Sequence, residues 1–131
     1  MPIIEFKNVT KRYNEEVIID NLNLEIKEKE FLVILGSSGC GKTTLLKMIN
    51  KMVEPTIGDI FIKGENINKW DTNILRRGIG YVIQQIGLFP HMKVEDNISY
   101  VLSIMGIKIE ERKKRAFELI KQVGLNESFL K

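Results

Sequence analysis

Residues 31–35 read Phe-Leu-Val-Ile-Leu, and this apolar run leads without a break into Gly36-Ser37-Ser38-Gly39-Cys40-Gly41-Lys42-Thr43. No other feature constrains the fold as tightly. Five apolar side chains in succession predict a strand covered on both faces. Beyond the glycines, residues 43–51 place Leu45, Leu46 and Ile49 at helical spacing. The glycine stretch is therefore a strand-to-helix turn. Glycines at 36 and 41 followed by Lys-Thr satisfy the spacing of a phosphate-cradling loop. Glycine lets successive backbone N–H groups converge on an anion with no Cβ in the way, and the helix opening behind the loop adds its own free N–H groups and dipole. Lys42 supplies a point charge for phosphate oxygens, and the Thr43 hydroxyl is a ligand for a magnesium ion bridging them. A glycine turn without a ligand is the plainer alternative, and the position between an apolar strand and a helix argues against it. Cys40 stands inside the loop, either as a small tolerated residue or as a thiol with thiolate character near a helix N-terminus.

The remaining pattern is α/β. Ile4 and Phe6 alternate with polar neighbours, as do Leu22, Leu24 and Ile26, which predicts half-buried antiparallel strands. Residues 54–59 carry turn formers, 60–62 form a short strand, and Gly64 turns the chain again. Asp71 is placed to cap a short helix over 71–77. Residues 79–83 predict another strand, followed by a loop through Gly87 and Pro90. Ile98, Val101, Leu102 and Met105, then Ala116, Leu119, Ile120 and Val123, repeat at helical spacing on either side of Gly106.

Composition removes several function classes. In 131 residues, 44% are apolar and 28% charged, as in an ordinary globular chain, and the net charge of +3 is mild. The basic run 112–115 follows Glu110 and Glu111 and reads as a solvated helix face rather than a nucleic-acid surface. One cysteine permits neither an internal disulfide nor a thiolate cluster. No apolar run approaches the roughly 18 residues of a membrane span, and the N-terminus lacks the pattern of a secretory signal.

Several strings together resemble the ATPases of ABC transporters, over nearly the whole chain. Gly36-Ser-Ser-Gly-Cys-Gly-Lys-Thr-Thr44 resembles that family's Walker A loop. Tyr13, in Lys11-Arg12-Tyr13, falls where the family places an aromatic residue against adenine. Ile79-Gly80-Tyr81-Val82-Ile83-Gln84 resembles the strand entering the Q-loop, which makes Gln84, with Gln85 the alternative, the residue directed at the γ-phosphate and magnesium. Residues 87–92, Gly-Leu-Phe-Pro-His-Met, resemble the stretch facing the membrane subunit in import systems. Leu46-Lys-Met-Ile-Asn50 and Val82-Ile-Gln-Gln-Ile86 are similar to uptake systems for glycine betaine, choline and related osmoprotectants. Ile57 departs from a Ser frequent at that turn.

The resemblance implies a P-loop NTPase core with an N-terminal antiparallel β layer and the start of a helical subdomain. Residues 1–83 correspond to part of the ATP-binding catalytic subdomain, and 84–131 to the Q-loop and the start of the helical one. It implies ATP and magnesium as ligands, with Tyr13, Gly36 to Thr44 and Gln84 binding nucleotide and Thr43 and Gln84 binding the metal. Implied partners are a transmembrane permease and a second ATPase subunit, at the cytoplasmic face of the cell membrane. The sequence contains no Leu-Ser-Gly-Gly signature and no later apolar run ending in Asp-Glu. His91, the one histidine, lies too early to be the family's switch histidine. These departures predict a truncated subunit that binds ATP without the groups that activate water. A non-transport ATPase of the same superfamily and a nucleotide-binding module without turnover are the alternatives.

Overall fold

The computed structural model describes residues 1–37, 39 and 41–130. They form two compact units, Met1–Gly80 and Tyr81–Lys131. The first holds a four-stranded antiparallel sheet in the order β2-β1-β3-β4, with β1 at Pro2–Tyr13, β2 at Glu16–Lys27, β3 at Ile57–Ile62 and β4 at Glu65–Asn66.

Alternation in the first two strands sets their register. Phe6 pairs with Leu24 on one side and with Ile60 on the other, and Ile4 pairs with Ile26 and Ile62. One face of the sheet thus collects apolar side chains, as period-2 patterning requires. Between Phe6 and Val9 strand β1 bulges, with Asn8 at φ 51°. The bulge fits because Gly58 lies opposite at φ 96°, where a Cβ would run into the Asn8 carbonyl. Glycine is required at 58 on both counts.

Helix α1, Lys42–Ile49, lays Leu45, Met48 and Ile49 onto that face. With Phe6, Val9, Ile60, Ile62, Ile67 and Leu75 they make one buried core. Helix α2, Thr72–Arg77, begins as expected at Asp71, whose carboxylate accepts from the N–H groups of Asn73 and Ile74 at 3.0 Å each. At its other end the Arg76 guanidinium donates to the carbonyls of Asn50 and Lys51 at 3.0 and 3.3 Å, satisfying acceptors just past the end of α1. The Trp70 indole N–H donates to the Ile62 carbonyl at 3.1 Å, tying the segment before α2 to β3.

Two expected strands do not form. Residues 31–35 join no ladder among the described residues, and Phe31 and Leu35 are 92% and 88% exposed. Residues 79–83 likewise join no ladder, with Val82 94% exposed, although Ile79 packs against the core. The physical reason is the same for both. A two-faced apolar strand is stabilised by neighbours on each edge, and these segments have none there.

The second unit is helical: α3 at Val94–Ile98, α4 at Tyr100–Ile104 and α5 at Ile109–Gln122. The single helix expected from Ile98 to Met105 is instead two short ones. They break at Ser99, whose φ of −97° and ψ of 9° leave helical geometry and whose hydroxyl donates to the Glu95 carbonyl at 2.7 Å. Gly106 turns the chain at φ 78°, and α5 buries Ala116 and Ile120 with Leu130. Asn97 braces the preceding loop. Its side chain accepts from the Phe89 N–H at 2.8 Å and donates to the carbonyls of Phe89, Met92 and Lys93 at 3.0–3.2 Å. The Phe89 ring stands 4.7 Å from that of Tyr100.

Candidate functional site

The glycine turn ends where α1 begins. Gly41 precedes the helix in the left-handed region, at φ 100° and ψ 3°, and no side chain caps the helix there. The first intrahelical bond is Leu45 N–H to the Gly41 carbonyl, at 3.0 Å. The N–H groups of Lys42, Thr43 and Thr44 therefore lie outside the helix ladder, available to an anion. Gly41 is needed for space as well as for its torsion angle. A Cβ there would sit 2.9 Å from the Ile18 methyl and 3.1 Å from the Ile18 carbonyl on β2. Strand β2 thus presses directly on the start of α1.

Sheet and loop share a concave site of about 160 Å³, lined by Tyr13, Ile18, Gly39, Gly41, Lys42, Thr43 and Thr44. Tyr13 comes to it as the last residue of β1, the residue as a whole 45% exposed. The Lys42 ammonium donates to the Gly36 carbonyl, closing the loop upon itself across its own base. Thr43 presents an exposed side chain in the first turn of α1. The site combines N–H donors, a cation, a hydroxyl and an aromatic ring. That set matches the demands of a molecule carrying phosphates at one end and a flat apolar base at the other.

The sequence-derived residues divide into three groups. Tyr13, Gly39, Gly41, Lys42, Thr43 and Thr44 are brought together around the one cavity. Gly36 joins them through its bond to Lys42, and Ser37 is exposed beside it. Ser38 and Cys40 lie outside the described residues. Gln84 is exposed at a bend in the second unit. Two contributors escaped the sequence reading. Ile18 belongs to Val17-Ile18-Ile19, a run without alternation whose facing side the sequence alone does not define. Lys11 lies over the Tyr13 ring, and only its spacing of two along a strand hints at a shared face.

The donor set can be tested against magnesium. Among the described residues no three His, Cys, Asp or Glu side chains cluster as a cation cage. A lone hydroxyl at the head of a phosphate cradle suits a hard ion that draws its other ligands from phosphate oxygens and water. Thr43 fits that role.

The architecture and the loop define a P-loop nucleotide-binding fold of the ABC type, and comparison with known proteins agrees. Residues 19–130 match the family model described as ABC transporter, and the chain belongs to that family. It is 48% identical over 129 residues to the choline transport ATP-binding protein OpuBA of Bacillus subtilis, covering 98% of this chain and 34% of the relative. The Fe(3+) ions import ATP-binding protein FbpC of Pasteurella multocida is 46% identical over 119 residues, covering 91% of this chain and 34% of that protein. The chain thus spans about a third of the length of these relatives. Among solved structures it superposes with TM-score 0.81 and 37% identity on the dimeric ATP-binding cassette MJ0796 in a post-hydrolysis state bound to ADP and Pi, covering 97% of this chain and 60% of that one. No helix of the described residues is long and apolar enough to cross a membrane.

Proposed function

We propose that this chain is the ATP-binding part of an import transporter's ATPase subunit, and that its cavity between β1 and α1 holds ATP. One observation carries the reading. The terminal aromatic of β1 and the open N-terminus of α1, with Lys42, line the same small cavity. The phosphates lie against the N–H groups of residues 41–44, with Gly36 to Cys40 forming the rest of the cradle. Lys42 exchanges the Gly36 carbonyl for the β- and γ-phosphates, and the base stacks on Tyr13. The Thr43 hydroxyl would ligate a magnesium ion, whose charge would offset that of the phosphates. Residues 1–83 serve as the nucleotide-binding part, and 84–131 carry the Q-loop and open the helical one.

In a longer subunit the site works within a pair of ATPase subunits beneath a transmembrane permease, at the cytoplasmic face of the membrane. ATP hydrolysis there drives solute uptake. The cradle alone positions phosphates, and phosphoryl transfer also requires an oriented water. No Asp-Glu pair following an apolar run stands after the loop in these 131 residues, so they bind ATP with little turnover. Similarity to the choline protein, together with the strings 46–50 and 82–86, favours a quaternary-amine osmoprotectant as solute. Fe(3+) is the competing solute raised by the second relative, and uptake measured with the assembled transporter decides between them.

The binding reading is tested by titrating ATP into the wild-type chain and Lys42→Ala. Removing the charged donor from a phosphate cradle should weaken binding about tenfold or more. Equal affinity in the two proteins contradicts the assignment.

A further inference from the structure

The Tyr13 ring does not stand free at the end of β1. The Lys11 ammonium lies 5.0 Å from its centroid and donates to the Glu54 carbonyl at 2.8 Å. Glu54 begins a segment that is itself stitched to the same strand end. The Arg12 N–H donates to the Thr56 hydroxyl at 3.0 Å, and the Thr56 N–H donates to the Thr10 carbonyl at 2.9 Å. One end of the Lys11 side chain is therefore fixed to the backbone ahead of β3, and its charge rests on the ring.

We propose that Lys11 is a positioning residue for purine-nucleotide binding. It occupies one face of the Tyr13 ring, fixes the ring's angle over the cavity, and leaves the opposite face for the base. The physical basis is the quadrupole of the ring. A cation over one π face is attracted to it, and the carbonyl of Glu54 keeps that cation from wandering into solvent. An aromatic held in advance loses less freedom when a base stacks on it. The Glu54–Thr56 segment thereby becomes part of the site although none of its residues lines the cavity.

The inference rests on the cavity being a nucleotide site, and the test separates the two. Dissociation constants for ATP and for inorganic tripolyphosphate, which has no base, are measured for wild type, Lys11→Met, Lys11→Arg, Tyr13→Ala and the Lys11→Met/Tyr13→Ala double variant. Lys11→Met should weaken ATP about two- to fivefold and leave tripolyphosphate unchanged. In the Tyr13→Ala background the same change should have no effect, because there is no ring to position. Lys11→Arg should retain wild-type affinity, since a guanidinium also sits on an aromatic face. Equal weakening for both ligands would mean a general electrostatic or folding effect and would overturn the proposal. Tighter ATP binding by Lys11→Met would also overturn it, because Lys11 would then be competing with the base for the same face. Failure of wild type to bind ATP at all removes the nucleotide reading, and this inference with it. The ring contact is read independently of any ligand: the Lys11 ε-methylene protons should be shifted upfield in wild type and return to their usual position in Tyr13→Ala.

Discussion

Phe6 and Phe31 sit in two apolar segments of the same unit and meet opposite fates. Phe6 is 1% exposed beneath α1, paired across β1 with β2 and β3, whereas Phe31 is 92% exposed in a segment that joins no ladder. The apolar run that looked most like a buried strand is thus among the least buried parts of the described chain. Hydrophobicity states what a segment needs and not whether its partners are at hand. β1 finds both neighbours within 62 residues of the N-terminus. Residues 31–35 border a hollow of about 260 Å³ beside Ile19, Leu22 and Leu45, which Ile34 and Leu35 line without filling.

The sharpest break of this comparison is a pair of truncations. Phe6→Ala should cost about 3–5 kcal/mol of unfolding free energy, the range for removing a buried aromatic. It is read from the denaturant midpoint of the purified chain. A loss below about 1 kcal/mol would mean that the sheet and α1 are not the stable part of the unit. Gly58→Ala should come next, at more than about 1 kcal/mol, because the new Cβ meets the Asn8 carbonyl and φ is positive. Retained stability would show that the bulge in β1 relaxes freely. Phe31→Ala should change stability by no more than about 0.5 kcal/mol, as for an exposed site. A loss as large as that of Phe6→Ala would place residue 31 in a core and erase the contrast.

How far the sequence could be read follows the same division. Helix α1, the Asp71 cap and the β1–β2 alternation rest on residues a few positions apart, and those signals are complete within each segment. The loop was singled out by its spacing, and the structure brings Gly39, Gly41, Lys42, Thr43 and Thr44 to one cavity with Tyr13. Residues 31–35 and 79–83 were misread as strands because pairing depends on edges supplied from elsewhere, which no local pattern reports. The break at Ser99 is one residue's departure from helical torsion angles, with its N–H and its hydroxyl both on the Glu95 carbonyl, beneath the resolution of a helical repeat. Tyr13 was singled out through family resemblance and lines the cavity, but Ile18 and Lys11, which shape its surroundings, depend on register and side-chain reach.

The central claim is that the end of β1 and the start of α1 together hold ATP. Amide hydrogen exchange, measured residue by residue with and without Mg-ATP, tests it most directly. The account predicts slowed exchange at Gly39, Gly41, Lys42, Thr43 and Thr44, with a smaller effect at Tyr13 and none along α5. ATP binding that leaves the amides of residues 41–44 unprotected, or protection confined to residues 81–130, would contradict it.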